Sequence, residues 1–195
     1  MMRRKMRNNR MLQVLLVVLA VGFVFGEGLL EEAGLISRFD SGMLSGFEEA
    51  RVAQVIDGDT VRLPDGTTVR MVGMNTPETS GEPEAYGVQA WEYARETLEN
   101  RKVFLEKDVS ETDQFGRALR YIWLERPERI DEESIRKSMF NAMALSEGFA
   151  QPYTFPPDIR YQDIFMKIAK EARDSGRGLW SIRRQGTTRG TVIPE

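Results

Sequence analysis

The sequence predicts a small, mainly β fold of the α+β class: a barrel of five short strands with about three packed helices. Three observations carry that expectation. Five β-rich runs follow one another between residues 51 and 124. The second and third are joined by a four-residue segment with hairpin chemistry. Helical periodicity is confined to the interval between strands three and four and to the chain after strand five.

Arg51 to Ile56 alternates polar and apolar side chains as a half-buried strand does. Thr60 to Leu63 and Thr68 to Val72 flank Pro64-Asp65-Gly66-Thr67, whose proline and Asp-Gly pair suit a tight reversal. Lys102 to Glu106 and Ala118 to Leu124 complete the set. Gly87, Trp91, Ala94 and Leu98 share one helical face. Tyr161, Ile164, Phe165, Ile168 and Ala172 share another, with Asp158 the expected N-cap and Gly176 the expected stop. A third helix is expected through Met139, Met143 and Leu145 to Gly148. Glu125 to Lys137 is dense in charge and reads as a solvated insertion before it. This order of strands and helices is that of an OB-type barrel.

The domain occupies residues 50–181. Residues 27–49 read as a linker, and residues 182–195 as a polar tail. Ahead of these, Met11 to Phe25 is apolar except for Gln13 and follows Arg3, Arg4, Lys5, Arg7 and Arg10. A basic flank before a short apolar run is the pattern of a secretory signal. The run is shorter than the ~20 residues of a spanning helix, and Gly26 suits a cleavage site. Residues 1–26 are therefore expected to be a signal peptide or an N-terminal membrane anchor. The positive-inside rule puts the body outside the cell, secreted or held on the outer face of the membrane.

Composition excludes whole classes of chemistry. The chain has no histidine and no cysteine. It therefore has no Ser-His-Asp or Cys-His nucleophile, no imidazole or thiolate zinc site and no disulfide. Any metal must be held by oxygen, which favours calcium, magnesium or manganese. Setting aside the five N-terminal cations takes the formal charge from −3 to −8. So acidic a body lacks the broad positive field of a nonspecific nucleic-acid binder. Positive charge used on nucleic acid must be concentrated at one site.

Three segments hold candidate chemistry. Asp57-Gly58-Asp59-Thr60 sets two carboxylates around a glycine where one strand yields to the next. Arg70 lies on a strand, and Asn75-Thr76-Pro77-Glu78 follows, its proline biasing Thr76 toward extended backbone. Asp113-Gln114-Phe115-Gly116-Arg117 presents an arginine just after a glycine, with a fork suited to phosphate oxygens. Singly, these are equally a turn, a polar loop and a surface arginine. Their order and spacing along one chain set them apart.

In that order the sequence resembles the staphylococcal nuclease (thermonuclease) family over roughly Arg51 to Ser181. The matching segments are Val55 to Val61, Arg70 with Thr76-Pro77-Glu78, and Thr112-Asp113 with Gly116-Arg117. Asn141, Gly148, Ala150 and Leu179-Trp180-Ser181 follow. The resemblance implies an OB-fold barrel and calcium-dependent hydrolysis of DNA and RNA, single-stranded substrate included, to 3′-phosphate products. It assigns Arg70, Glu78 and Arg117 to the catalytic trio and Asp59 to the metal. It also implies that Thr76 offers the metal its backbone carbonyl and that Tyr153 and Phe155 lie near the nucleotide pocket. Glu78 is expected to act as base or water-positioner, and the arginines and cation to stabilise charge on the attacked phosphate.

Two positions depart from the family pattern. Asn75 stands where an aspartate supplies a second metal ligand; its amide oxygen still coordinates but brings no charge. Gln114 stands where a lysine often neighbours the terminal phosphate. The alternative to a nuclease is a noncatalytic OB-fold module that binds nucleic acid or a protein partner at the membrane. Retention of Arg70, Glu78 and Arg117 together argues against it.

Overall fold

A computed structural model describes residues 46–194. The expected signal or anchor, and the linker up to residue 45, lie outside the described residues. The strands are β1 (Phe47–Arg51), β2 (Gln54–Asp57), β3 (Thr60–Arg62), β4 (Thr68–Met71), β5 (Met74–Asn75), β6 (Lys102–Glu106), β7 (Ala118–Trp123) and β8 (Gln151–Pro152). The helices are α1 (Gly87–Leu98), α2 (Glu132–Ser138), α3 (Phe140–Ser146) and α4 (Gln162–Asp174), followed by a 3₁₀ turn at Gly178–Ser181. The class is α+β, as expected.

Six strands form one mixed sheet in the order β1-β6-β7-β4-β3-β2, and β5 pairs with β8 in a second, two-stranded sheet. The closed five-stranded barrel expected from the sequence is not found. The edge strands β1 and β2 are consecutive in the chain but pair with β6 and β3, not with each other. The run expected as one strand from Arg51 to Ile56 is broken at Val52-Ala53. There the Val52 N–H donates to Arg101 and the Ala53 N–H to Arg62. The chain thus leaves one half of the sheet for the other, a change of partner that alternation cannot signal. The sheet also begins at Phe47, within the stretch read as linker.

At the centre, every residue of β7 is buried, as fits a strand covered on both faces. The hairpin β3–β4 pairs in register, Thr60 opposite Arg70 and Arg62 opposite Thr68. β4 then runs parallel to β7, with Val69 beside Ala118 and Arg70 beside Leu119. The core gathers Val61, Val69, Leu98, Ile122, Trp123, Phe140, Leu145, Phe165 and Ile168, all nearly or fully inaccessible. Asn141 bolts α3 to the sheet, accepting from the Ile122 N–H at 2.9 Å and donating to the Val72 carbonyl at 2.9 Å.

Three local expectations change. The charged stretch 125–137 is not all insertion: α2 starts at Glu132 behind a capping box, in which Asp131 and Ser134 satisfy each other's backbone N–H. Asp158 is not the cap of α4, which begins at Gln162 after Tyr161. It is buried and accepts from the N–H groups of Val109 and Ser110 at 3.0 and 2.8 Å, amides with no strand partner of their own. The tail packs onto the body, with Ile193 buried and Arg173 donating to the carbonyls of Ile193 and Pro194 at 2.7 and 2.8 Å.

Candidate active site

The parallel ladder between β4 and β7 builds the site. Parallel neighbours share a face, and side chains two apart on a strand share it too. Arg70 is level with Leu119, and Arg117 lies two residues before it. Arg70, Arg117 and Leu119 all line one open cleft of about 1060 Å³. Asp59, Asn75, Glu78, Tyr153 and Phe155 line the same cleft. Of the residues expected at the site, only Thr76 is not on its wall. It is buried directly behind Asp59, its N–H donating to Asp59 Oδ2 at 3.1 Å.

Arg70 is fully engaged. Its Nη1 pairs with Asp59 Oδ2 at 2.9 Å and donates to the Met71 carbonyl at 3.0 Å. Its Nη2 donates to Asn75 Oδ1 at 2.7 Å. Asn75 therefore turns its amide oxygen to Arg70, while its Nδ2 donates to the Thr76 carbonyl at 3.3 Å and to Thr188 Oγ1 at 3.0 Å. The remaining Asp59 oxygen, Oδ1, accepts from the Thr60 hydroxyl at 2.9 Å.

Arg117 is held differently. The left-handed turn at Gly116, φ +78°, favours glycine and folds the loop back on Asp113. One Asp113 oxygen accepts from the N–H groups of Phe115 and Arg117 at 2.9 and 3.0 Å, and the other takes Arg117 Nε at 2.7 Å. Neither Nη group of Arg117 makes a hydrogen bond among the described residues, and the guanidinium lies over the Phe115 ring at 5.5 Å. Burial works to raise the Asp113 carboxyl, but the Arg117 and Phe115 contacts outweigh it and hold it below its ordinary value of 3.8.

Glu78 sits where Gly87 opens α1. A Cβ on Gly87 would come within 2.4 Å of the Glu78 carbonyl oxygen, so that close approach requires glycine. Glu84 closes the loop, accepting from the Glu78 N–H at 3.1 Å. Burial raises the Glu78 carboxyl above its ordinary value, and the charge of Asp57 raises it further. Asp57 is also raised, by burial first and by Asp59, against the opposing Gly58 N–H. A carboxyl so placed is a stronger base than a free glutamate. Among the described residues no group of three or more acidic side chains is gathered as a metal cluster.

Comparison with known proteins adds the family. The model of staphylococcal nuclease homologues matches residues 68–182, more than half of the chain. The chain belongs to the staphylococcal nuclease family. It is 33% identical to a thermonuclease of Staphylococcus hyicus over 57% of this chain and 61% of that protein. To a thermonuclease of Staphylococcus intermedius it is 32% identical, over 56% and 61%. A third relative, the SPbeta prophage-derived endonuclease YokF of Bacillus subtilis (strain 168), is 30% identical over 60% of this chain and 38% of that protein. The chain spans less than two thirds of the length of each of these relatives. The match begins at β4, so Asp57 and Asp59 lie just ahead of it, and it ends at residue 182, ahead of the tail.

Sequence reasoning missed two contributions to this cleft. Asp113 has a signal in hindsight: an aspartate two and four residues before the amides it accepts is an Asx-turn pattern. Thr188 and Arg189, which also line the cleft, have none, because nothing local ties the tail to β5.

Proposed function

We propose that this chain is a metal-dependent nuclease that hydrolyses phosphodiester bonds of DNA or RNA. The observation that carries this reading is the meeting of Asp59, Arg70, Glu78 and Arg117 on one open cleft. Thermonuclease and endonuclease relatives support the same class.

A phosphodiester is anionic and gains charge on its nonbridging oxygens as water attacks. Arg117 points unpaired Nη groups at the cleft from a rigid Asp113 mount and binds those oxygens bidentately. Arg70, fixed by three acceptors, stabilises the same charge from the adjacent strand. Glu78, its pKa lifted by burial and by Asp57, takes the proton of the attacking water or orients it. Tyr153 and Phe155, with ring centroids 6.3 Å apart, offer apolar surface to a base or sugar.

A hard divalent cation fits the donor set, which is oxygen only. Asp59 would hold it, with Asp57 beside it and Thr76 behind. Thr76 Oγ1 is buried with no hydrogen-bond partner among the described residues, an oxygen that such an ion would satisfy. Bound there, a calcium ion supplies Lewis-acid polarisation of a phosphoryl oxygen. The finer reading takes single-stranded DNA or RNA as substrate and 3′-phosphates as products. The body is secreted, or anchored to the outer face of the membrane by residues 1–26.

The test incubates the purified protein with single-stranded DNA in calcium and in chelator. Cleavage that needs the metal and disappears in both Glu78→Ser and Arg117→Ala is the expected result. Binding without cleavage in every metal tried would replace the enzyme with a noncatalytic nucleic-acid module.

A further inference from the structure

The tail beyond the family match forms a strap over one wall of the cleft. The Thr188 N–H donates to Gln151 Oε1 at 2.9 Å, and the Thr191 N–H donates to the Pro152 carbonyl at 2.7 Å. Thr191 Oγ1 takes the Thr154 N–H at 2.8 Å. Gln151 is buried beneath Gly186 and Gly190, and a Cβ on either would come within 3.0 Å of its side chain. The strap's far end is fixed by Arg173 through Ile193 and Pro194. Thus the tail is pinned to β8, to the segment that carries Tyr153, and to α4.

Two consecutive strap residues reach the cleft. Thr188 receives Asn75 Nδ2 at 3.0 Å, and Asn75 in turn receives Arg70 at 2.7 Å. Arg189 is exposed, lines the cleft and makes no hydrogen bond or ion pair among the described residues. Charge balance gives that position weight. Arg70 is neutralised by Asp59 at 2.9 Å and Arg117 by Asp113 at 2.7 Å. The wall also carries Asp57, Glu82 and Glu84, while Gln114 brings no charge. Cations on this wall with no adjacent carboxylate are Arg62, which donates to Gln54, and Arg189.

We propose that the C-terminal strap completes the substrate cleft: Arg189 binds a backbone phosphate of the nucleic acid, and Thr188 is a positioning residue for the Asn75–Arg70 pair. This rests on the nuclease reading for its substrate but not for its measurement. The point variants leave the strap's anchors at Gln151, Thr154 and Arg173 intact.

The experiment measures binding of the full-length chain to a fluorescent single-stranded oligonucleotide in chelator, across salt, and cleavage separately in calcium. Arg189→Ala is expected to weaken binding about tenfold at low salt and to flatten the slope of log K against log salt by about 0.7, the value for one phosphate on a single strand. Arg189→Lys keeps the slope, and Arg183→Ala, the same charge lost from an exposed arginine off the cleft, changes neither. Thr188→Val lowers kcat severalfold with KM nearly constant, and Thr188→Ser restores it. If Arg189→Ala binds as Arg183→Ala does, in affinity and in slope, the strap proposal is overturned while cleavage by the unaltered chain stands. If the slope change appears but nothing is cut in any metal, the enzyme reading fails and the strap's role in binding remains. Failure of the unaltered chain to bind the oligonucleotide overturns both.

Discussion

Asp113→Ala tests whether Arg117 acts from a fixed mount. The substitution removes the acceptor of three hydrogen bonds, two from backbone amides and one from Arg117 Nε. The Asp113 side chain is 4% exposed and that of Arg117 33%. A sheltered bond to an ionised group is worth roughly 1.5–3 kcal/mol, but the exposure of the arginine reduces the ion pair itself to about 1 kcal/mol. Releasing the side chain also returns part of the ~2 kcal/mol of rotamer entropy that arginine carries. The productive orientation should therefore lose about 1–2 kcal/mol, a fall in kcat of roughly 5- to 30-fold. Arg117→Ala, which deletes a group proposed to bind the transition state, should lose about 10²- to 10³-fold. The assay is a double-mutant cycle on steady-state cleavage of single-stranded DNA. Once Arg117 is alanine, removing Asp113 should cost almost nothing more. An equal loss in both backgrounds, or unchanged cleavage by Asp113→Ala, would refute the mounting role.

Three further outcomes follow from the geometry. Asn75→Asp adds a charge beside Asp59 and should tighten calcium binding by calorimetry; equal or looser binding counts against this placement of the cation. Glu106 is buried and accepts from Trp123 Nε1, the Tyr161 hydroxyl and Arg160, so Glu106→Leu strands the two buried donors and leaves Arg160 with Asp108 at 3.5 Å. The cost should be about 2–5 kcal/mol in urea unfolding, about 1–3 kcal/mol for each buried donor left unsatisfied, and a loss under 1 kcal/mol would show the network to be dispensable. The Asp131 carboxyl is held at about 2, below its ordinary 3.8, by the Ser134 N–H and then by Arg129. Its folded pKa is depressed, so its contribution is complete above 3.8 and disappears as pH falls toward 2. NMR titration of that carboxyl should find the low midpoint; a midpoint near 3.8 would mean that the cap is not formed.

How much of this was legible in the sequence depended on range. β6 runs over Lys102–Glu106 as alternation and β propensity predict, and the β3–β4 hairpin closes where its Pro-Asp-Gly turn stands. In α1 the buried face is Gly87, Ala90, Ala94 and Leu98. Trp91 is only half-buried, packed against the core with its indole N–H donating to the Val55 carbonyl at 3.4 Å. The break at Val52-Ala53 escaped because it is a change of hydrogen-bond partner, from Arg101 to Arg62, which side-chain type does not record. The two-residue pair β5–β8 is too short to leave a period, and the charge around α2 hid an Asp-x-x-Ser cap. At the site, residue types and order pointed to Asp59, Arg70, Glu78 and Arg117. Their meeting depends on β4 lying beside β7 nearly fifty residues away, which no local pattern encodes. Asn75 shows the same limit. The resemblance placed its amide oxygen toward a metal, and no local pattern signals that the oxygen also accepts from Arg70 at 2.7 Å.

The parallel ladder has a consequence for how this fold tolerates change. Because Arg70 stands on β4 level with Leu119 and Arg117 immediately precedes β7, the gauge between the two cations follows the spacing of those strands. Lengthening the connection at 79–86, which puts Glu82 and Glu84 on the cleft, would reshape the rim while leaving that gauge untouched. Slipping β7 by one residue against β4 would turn its side chains to the opposite faces and carry the Asp113–Arg117 turn out of step with Arg70. Surface loops are thus free to drift here, and strand register is not.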